Sequence, residues 1–433
     1  MVQRPRWVEA WFSTAYDFSV FQINRLSLAS SSTWALSNGV IRHQSGQFFN
    51  IIGVQWENPN GKCIMQPLIE QREIGTLGFL LRSNEKNREL LVQAKIEPGN
   101  VGIVQLAPTC QATASNISRI HGGKSPPFCE LFPSDKTHII SDSLQSEQGT
   151  RFLRKHNRNI LATVANPILT GDTHRWLRVD EVLELLKFDT IINTDARSVL
   201  ICSQWEMLVD RAPFARYCTP FGIDLAHSAI HGGNHKSITR IHKELMSLST
   251  KISTPEIVPL EKLDDWAITD EGVIPIKGKP FIIRHIQIIT DGREVPAWDQ
   301  PIIDSVGQGH VELVCGRIDG VLHFLFRPQI EIGLYKAVEL GPTMVVEPGE
   351  ELPGDTSLNQ SGATVIIECL QSDEGGRFYQ DITLYRVFDV GEAYEVPADW
   401  QWLTLKQIQI LLQRGGCFTN EARSALSLIL TWL

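Results

Sequence analysis

The chain has 433 residues, of which 42% are hydrophobic and 21% charged, and its formal net charge is −9. These proportions are typical of a soluble globular protein. The acidic balance argues against a nucleic-acid-binding protein, which would carry a basic face, and no stretch approaches the ~20 apolar residues of a membrane span. Two domains are expected because the length exceeds one ordinary core.

Eight cysteines are scattered along the sequence without a CxxC pair. In a chain of this length the pattern predicts reduced thiols in a cytoplasmic protein. The opening residues, MVQRPRWVEAWF, contain no long apolar run and no small-residue cleavage site, so no secretory signal peptide is expected.

From Trp34 onward the sequence aligns with itself in the same order. Residues 66–109 match residues 300–343 without a gap, and residues 145–200 match residues 371–426. A repeat of about 230 residues indicates two domain-sized copies rather than a solenoid. We interpret the pattern as an internal duplication and name the two copies the first half and the second half.

Each half contains several short strands rich in Val, Ile and Phe and then two closing helices, which indicates an α+β fold. The predicted divisions are a helical lead-in (1–33), the first half (34–205), a connecting segment (206–258) and the second half (259–433). Thr404 begins a Thr-Leu-Lys-Gln capping box.

Three further helix signals follow from capping residues and periodicity. Asn420-Glu421 is expected to cap the last helix of the second half, and Thr194-Asp195 is its counterpart in the first half. The connecting segment contains a predicted helix from Ser237 to Leu248.

The stretch from Gln93 to Gly123 is too polar for a core element and too patterned for a plain loop. Alternation predicts a strand over residues 101–106, and a dense set of hydrogen-bonding side chains follows. Such a set suits a polyhydroxylated ligand, and a capped surface turn is the alternative. The candidate binding residues here are Lys95, Asn100, Gln105, Thr109, Gln111, Thr113, Ser115, Asn116 and Arg119.

Differences between the halves locate the predicted site. Lys95 is replaced by Gln329 at the aligned position, and Lys155 is replaced by Asp381. The first half alone holds a basic run over residues 151–158, which suits a phosphate or diphosphate; the alternative is a solvated edge strand. We therefore place the working site in the first half and expect a vestigial site in the second. The run adds the candidates Arg151, Arg154, Lys155, Arg158 and Asn159.

Residues that both halves share are more easily explained by the fold, as turns, a buried ion pair or a helix anchor. The shared pairs are Glu97/Glu331, Gly99/Gly333, Gln66/Gln300, Arg151/Arg377 and Trp176/Trp402.

Signals for a metal or a cofactor are weak. His227, His231 and His235 are spaced four apart, but Gly232-Gly233 interrupts a common helical face and no other ligand completes the set. The sequence has no GxGxxG after a strand, no P-loop and no GxSxG. No metal and no cofactor are expected.

Several motifs together carry a resemblance to a known family: His43-Gln-Ser-Gly46, Glu97-Pro-Gly-Asn100, Pro108-Thr-Cys-Gln-Ala-Thr-Ala-Ser-Asn116, His121-Gly, Ser146-Glu-Gln-Gly149, Lys155-His-Asn-Arg-Asn159 and Glu374-Gly-Gly-Arg-Phe378. From about Trp34 to Leu433 the chain resembles the NDP-hexose 2,3-dehydratases of deoxysugar biosynthesis. The resemblance implies two Nudix-like halves related by pseudo-twofold symmetry, in a homodimer. A Nudix catalytic box is absent, so it implies neither a metal nor pyrophosphate cleavage.

The resemblance also implies a nucleotide-diphosphate sugar substrate such as dTDP-4-keto-6-deoxy-glucose, which loses water across C2 and C3 without a redox cofactor. The C3 proton is acidic because it is α to the C4 ketone, so the reaction needs a base and a donor to the enolate oxygen. We expect His121 to be the base, with Lys155 or Arg158 stabilising the oxyanion. The alternatives are a non-catalytic nucleotide-sugar-binding protein and a nucleotide-sugar pyrophosphatase.

Overall fold

The computed structural model describes residues 4–16, 20–83, 87–117, 125–132, 134, 136–164, 168–209, 211–278, 281–291, 295–352 and 362–433. Over these residues the structure is mixed α and β, in agreement with the predicted class. The central strands are buried on both faces, so they appear in the sequence as apolar runs rather than as alternating patterns.

The first twelve strands lie before the connecting segment. They are β1 (Phe21–Arg25), β2 (Trp34–Ser37), β3 (Val40–His43), β4 (Asn50–Glu57), β5 (Cys63–Glu70), β6 (Gly75–Ser83), β7 (Arg88–Ile96), β8 (Val104–Ala107), β9 (Cys110–Ala112), β10 (Thr137–Ser146), β11 (His156–Val164) and β12 (His174–Arg178).

The remaining strands begin at the end of the connecting segment. They are β13 (Glu256–Val258), β14 (Trp266–Thr269), β15 (Gly272–Pro275), β16 (Phe281–Thr290), β17 (Ala297–Ser305), β18 (Gly309–Ile318), β19 (Val321–Ile330), β20 (Val338–Gly341), β21 (Met344–Val346), β22 (Thr364–Ser372), β23 (Ile382–Glu392) and β24 (Gln401–Leu403).

The helices in the described residues are α1 (Arg6–Ala15), α2 (Ala114–Ile117), α3 (Val179–Leu185), α4 (Thr194–Cys202), α5 (Trp205–Leu208), α6 (Pro220–Ser228), α7 (His235–Ser249), α8 (Leu405–Arg414) and α9 (Asn420–Ser427). The capping box predicted at Thr404 is confirmed, since its side chain accepts a hydrogen bond from the Gln407 N–H. The predicted helix in the connecting segment is confirmed as α7.

Each half builds one seven-stranded mixed sheet with the same pairing pattern. In the first half the order is β10-β11-β6-β7-β12, with β8 on β7 and β9 on β6. In the second half it is β22-β23-β18-β19-β24, with β20 on β19 and β21 on β18. The pairs β11–β6 and β23–β18 are parallel.

Two five-stranded sheets also match each other. One consists of β2, β3, β4 and β5 with β13 on β4, and the other of β14, β15, β16 and β17 with β1 on β16. Strand β1 therefore covers an edge in the second half, as β13 does in the first. In the lead-in predicted as helical, the described residues form α1 at Arg6–Ala15 and a 3-10 helix at Leu28–Ser30, whereas Phe21–Arg25 joins this sheet as β1.

The halves share one extended hydrophobic core in which α4 packs against α9. Both helices carry a buried arginine that reaches across: Arg197 Nη1 donates to Ser427 Oγ at 3.3 Å, and Arg423 Nε donates to Ser198 Oγ at 3.1 Å. The predicted caps of these helices were one residue too late, because Asn193 and Thr419 are the N-cap residues.

Gly99 and Gly333 lie where the halves meet. The Gly99 N–H donates to the Gly375 carbonyl at 2.8 Å. A Cβ added at Gly99 would lie 1.6 Å from the Phe378 carbonyl oxygen, and one at Gly333 would lie 1.8 Å from that of Phe152. Because only glycine permits this approach, the interpretation of this pair as fold determinants is confirmed.

The strand predicted over residues 101–106 starts later than expected. Gly102 and Ile103 have φ values of 77° and 71°, which are incompatible with extended backbone. Strand β8 therefore begins at Val104, and the preceding residues form a turn.

Candidate active site

Lys155 lies directly before β11 and is almost completely buried, with 5% of its surface exposed. Its Nζ donates a hydrogen bond to the backbone carbonyl of Glu73. Burial lowers the pKa of Lys155 below its usual value, although the carboxyl groups of Glu147 and Glu374 act in the opposite direction. A desolvated lysine of this kind can hold or release a proton closer to neutral pH than an exposed one.

Glu147 follows β10 and sits beside Lys155, whose carbonyl accepts its backbone N–H at 3.0 Å. Its carboxylate oxygens accept hydrogen bonds from Asn157 Nδ2 at 2.6 Å and Asn420 Nδ2 at 3.2 Å. Burial raises the pKa of Glu147 to about 7, against the opposing charges of Arg423 and Lys155. A carboxyl group with this pKa can exchange protons at neutral pH.

A second set of buried polar side chains lies on and beside β7 and β9. Lys95 Nζ lies 3.2 Å from Glu97 Oε1 and donates to the Gln111 carbonyl at 3.1 Å. Gln111 Oε1 accepts from Asn193 Nδ2 at 2.9 Å. Near these residues, burial raises the pKa of Asp195 well above its usual value, and the charges of Glu374 and Glu147 add to the effect.

The segment after β9 contacts Glu73, the residue whose carbonyl accepts the hydrogen bond from Lys155. The backbone N–H and Oγ of Ser115 donate to Glu73 Oε2 at 3.3 and 2.8 Å, and Thr113 Oγ1 lies 2.9 Å from Ser115 Oγ. Asn116 is exposed. Two predicted residues, Arg119 and His121, lie outside the described residues.

The buried and partly buried groups around Lys155 form what we call the polar cluster, and it includes residues that sequence reasoning missed. Its predicted members are Lys95, Gln111 and Lys155, and its missed members are Glu73, Glu97, Glu147, Asn157, Asp195, Glu374 and Arg377. Glu97 and Arg377 had been assigned to the fold alone. The retained acidic character of Glu147/Asp373 and Asp195/Glu421 in the aligned halves was a signal that could have found two of the others.

The predicted basic cluster of residues 151–158 does not exist as a cluster. Arg151 extends into the second half and forms a salt bridge with Glu347 at 2.6 Å. Arg154 is exposed, and Arg158 pairs with Asp142 on the neighbouring strand β10. Arg151, Arg154 and Lys155 all precede β11, and Arg154 has a φ of 53°, so this turn directs the three side chains to different surroundings. The edge-strand alternative is also wrong, since β11 lies between β10 and β6.

Four further candidates bind protein groups instead of lining the polar cluster. Asn100 Nδ2 donates to the backbone carbonyls of Lys95 and Ile103 at 3.2 and 3.1 Å, and Gln105 Nε2 donates to Ser372 Oγ at 2.6 Å. Thr109 Oγ1 accepts the Leu80 N–H at 3.0 Å, and Asn159 Nδ2 donates to the Asn157 carbonyl at 3.4 Å.

A cleft in the second half lies at the positions that align with the polar cluster. It is lined by Arg151, Glu347, Asp373, Asp381, Tyr385 and Glu421, among others. Asp381 stands where the first half has Lys155, and burial raises the pKa of Asp381 to about 6. The two regions therefore share a position in the fold but differ in chemistry.

The prediction that all cysteines are reduced is wrong for two of them. Cys110 and Cys129, 19 residues apart in sequence, form a disulfide with a Cα–Cα distance of 5.0 Å. Strand β9 and the 3-10 helix at Cys129–Leu131 bring them together in a buried apolar environment.

Within the described part of the chain, no group of three or more His, Cys, Asp or Glu side chains is placed to hold a metal ion. In the same residues no helix is long and apolar enough to cross a membrane.

A lysine buried among carboxyl groups of raised pKa is typical of an enzyme that transfers protons. The sequence matches the family described as NDP-hexose 2,3-dehydratase over residues 6–203 and 247–429. The chain therefore belongs to the NDP-hexose 2,3-dehydratase family.

Three similar proteins carry the name dTDP-4-dehydro-6-deoxy-alpha-D-glucopyranose 2,3-dehydratase. The protein from Saccharopolyspora spinosa is 34% identical over 96% of this chain and 89% of its own length. Those from Streptomyces violaceoruber and Amycolatopsis orientalis are each 32% identical over 98% of this chain, covering 96% and 89% of their own lengths.

Among solved structures, a Nudix hydrolase from M. smegmatis aligns with 33% of this chain and 87% of its own, at 14% identity and a TM-score of 0.21. A TM-score this low does not show that the two proteins share a fold.

Proposed function

We propose that this protein eliminates water across C2 and C3 of a nucleotide-linked 4-keto-6-deoxy-hexose of the dTDP-glucose type. The observation that carries the proposal is the similarity, over at least 96% of the chain, to three proteins named as dTDP-4-dehydro-6-deoxy-glucopyranose 2,3-dehydratases. The polar cluster supplies groups suited to this reaction, because it combines the cation of Lys155 with Glu147, whose pKa burial raises to about 7.

In the proposed reaction a base removes the C3 proton, and the electrons move onto the C4 oxygen to form an enolate. The enolate then expels the C2 hydroxyl, which leaves as water after receiving a proton. The resulting enol tautomerises to a 3,4-diketo sugar, so no net oxidation occurs. Lys155 is suited to stabilise the enolate oxygen because charge–charge interactions strengthen when water is excluded.

We further propose His121 as the base, because it belongs to a segment of the first half with no counterpart in the second. Lys155 is the second candidate, favoured by its burial and lowered pKa. We also propose that the halves arose by duplication and are Nudix-like, that the cleft of the second half is vestigial, and that two chains form a homodimer. The matching pairing of the large sheets supports the duplication.

Mass spectrometry of the protein incubated with a 4-keto-6-deoxy nucleotide sugar tests the function. Loss of one water supports the dehydratase. Release of a nucleoside monophosphate would instead identify a pyrophosphatase, and no change would identify a binding protein.

Exchange of the substrate C3 proton with deuterated solvent tests the base. His121→Ala is expected to stop both exchange and water loss while substrate binding survives. If exchange persists in His121→Ala and disappears in Lys155→Met, Lys155 is the base and the assignment of His121 is wrong.

A further inference from the structure

Two arginines occupy equivalent places in the two halves, and each extends from one half into the other. The Arg151 guanidinium lies 4.2 Å from the Phe281 ring centroid, and the Arg377 guanidinium lies 4.2 Å from that of Phe49. The two rings also lie at matching places, since Phe49 directly precedes β4 and Phe281 begins β16, the matching strand of the other five-stranded sheet. Arg151 thus belongs to the cleft of the second half, and Arg377 belongs to the polar cluster of the first.

One terminal nitrogen of each arginine is held in the same way. Arg151 Nη1 donates to the Thr150 carbonyl at 3.1 Å, and Arg377 Nη1 donates to the Gly376 carbonyl at 2.8 Å. In both arginines, therefore, Nη1 donates to the carbonyl of the preceding residue, and Nη2 is the terminal nitrogen left for other partners.

The other terminal nitrogen distinguishes the halves. Arg151 Nη2 donates to Glu347 Oε2 at 2.6 Å. Glu347 directly follows β21, and the residue that directly follows the matching strand β9 in the first half is Thr113. Among the described residues, the hydrogen-bond acceptor of Arg377 Nη2 is the amide oxygen of Gln71, at a long 3.3 Å. Among the described residues no carboxylate lies within salt-bridge distance of Arg377, and its buried Nε has no hydrogen-bond partner.

The surroundings of Arg377 also differ in charge from those of Arg151. Arg377 is electrostatically coupled to Lys155, where the second half has Asp381. Burial lowers the pKa of Arg377, and the nearby carboxyl groups of Glu374, Glu97 and Glu73 act in the opposite direction. The first half therefore offers two neighbouring cations, and one of them has donors without a charged partner.

We propose that Arg377, supplied by the second half, binds the diphosphate of the nucleotide sugar at the polar cluster of the first half. This inference rests on the proposed function, which supplies the ligand class. A guanidinium matches two phosphate oxygens through parallel N–H donors. In the second half the carboxylate of Glu347 occupies the position that we propose for the diphosphate, so Arg151 already has a charged partner there.

Titration with dTDP in a calorimeter tests the inference without requiring turnover. Arg377→Met is expected to weaken dTDP binding about 10- to 100-fold, the usual effect of losing a charge-assisted hydrogen bond. Thr113→Glu recreates the carboxylate of the second half and should weaken binding similarly. Arg386→Met is the matched control, since it removes a positive charge that pairs with Glu368 outside both sites.

Wild-type affinity in Arg377→Met, or equal weakening in Arg386→Met, would overturn the inference. If Arg377→Met does not fold, as judged by its melting temperature, Thr113→Glu decides the question alone, because Thr113 is only partly buried. Wild-type turnover of the nucleotide sugar is measured separately. Turnover with unchanged dTDP binding in both variants would refute the role of Arg377 and leave the proposed function intact.

Discussion

Glu339 offers a direct test of the electrostatics between the halves. It lies on β20 with 2% of its surface exposed, and Ser146 Oγ donates to its Oε2 at 2.6 Å. Burial raises the pKa of Glu339 from 4.5 to about 7. The aligned residue in the first half is Gln105, which makes the equivalent contact with Ser372. We therefore expect Glu339→Gln to preserve the packing and to remove only the titration.

The sign and size of the effect follow from the pKa. The folded state binds the Glu339 proton more tightly than the unfolded state, so this contribution to stability is complete below pH ~4.5 and is lost as the pH rises through ~7. One pKa unit corresponds to about 1.36 kcal/mol, which gives about 2 to 3 kcal/mol between pH ~5 and pH ~8. Between these two pH values the free energy of unfolding should fall less in Glu339→Gln than in the wild type, by about this amount.

Urea unfolding of both proteins at pH ~5 and pH ~8 measures the difference. Glu256→Gln, at an exposed position on β13, is the control and should follow the wild type. A wild type and a Glu339→Gln variant that lose equal stability over this range would refute the assignment of a raised pKa to Glu339.

Three other predictions concern the site, the disulfide and the assembly. Lys155→Met should abolish dehydration while changing Asp381 to Asn has little effect, and equal losses in a turnover assay would contradict the placement of the site. Replacing Cys110 and Cys129 by alanine should lower stability by about 2 to 4 kcal/mol, as expected for a loop of this length; titration of eight free thiols in the unreduced, denatured wild type would show that the disulfide is not formed. Light scattering should give about twice the chain mass, and a value near 48.6 kDa at micromolar concentration would exclude the homodimer.

The sequence by itself determined the features that depend on local chemistry or on aligned positions. The capping box at Thr404 and the helix of the connecting segment could be predicted because capping and periodicity act over a few residues. The α+β class followed from the order of strands and helices. The glycines at 99 and 333 could be recognised because both halves keep them where a side chain would collide with backbone.

Only the tertiary structure determines whether a side chain lies in the polar cluster of the first half or in the cleft of the second. Arg151 and Lys155 are close in sequence, yet the chain passes between the halves there, so Arg151 reaches Glu347 while Lys155 remains beside Glu147. Arg377, more than two hundred residues away in sequence, is electrostatically coupled to Lys155. A local pattern cannot encode this exchange, because it depends on how the two halves pack against each other.

The same reason explains the errors at the chain's edges and in its loops. Strand β1 pairs with β16, which lies in the second half, so its formation depends on a contact that is distant in sequence. The disulfide between Cys110 and Cys129 forms because β9 and the following 3-10 helix approach each other in space, while their spacing in sequence contains no such signal. Proximity across the fold, rather than residue type, determined these features.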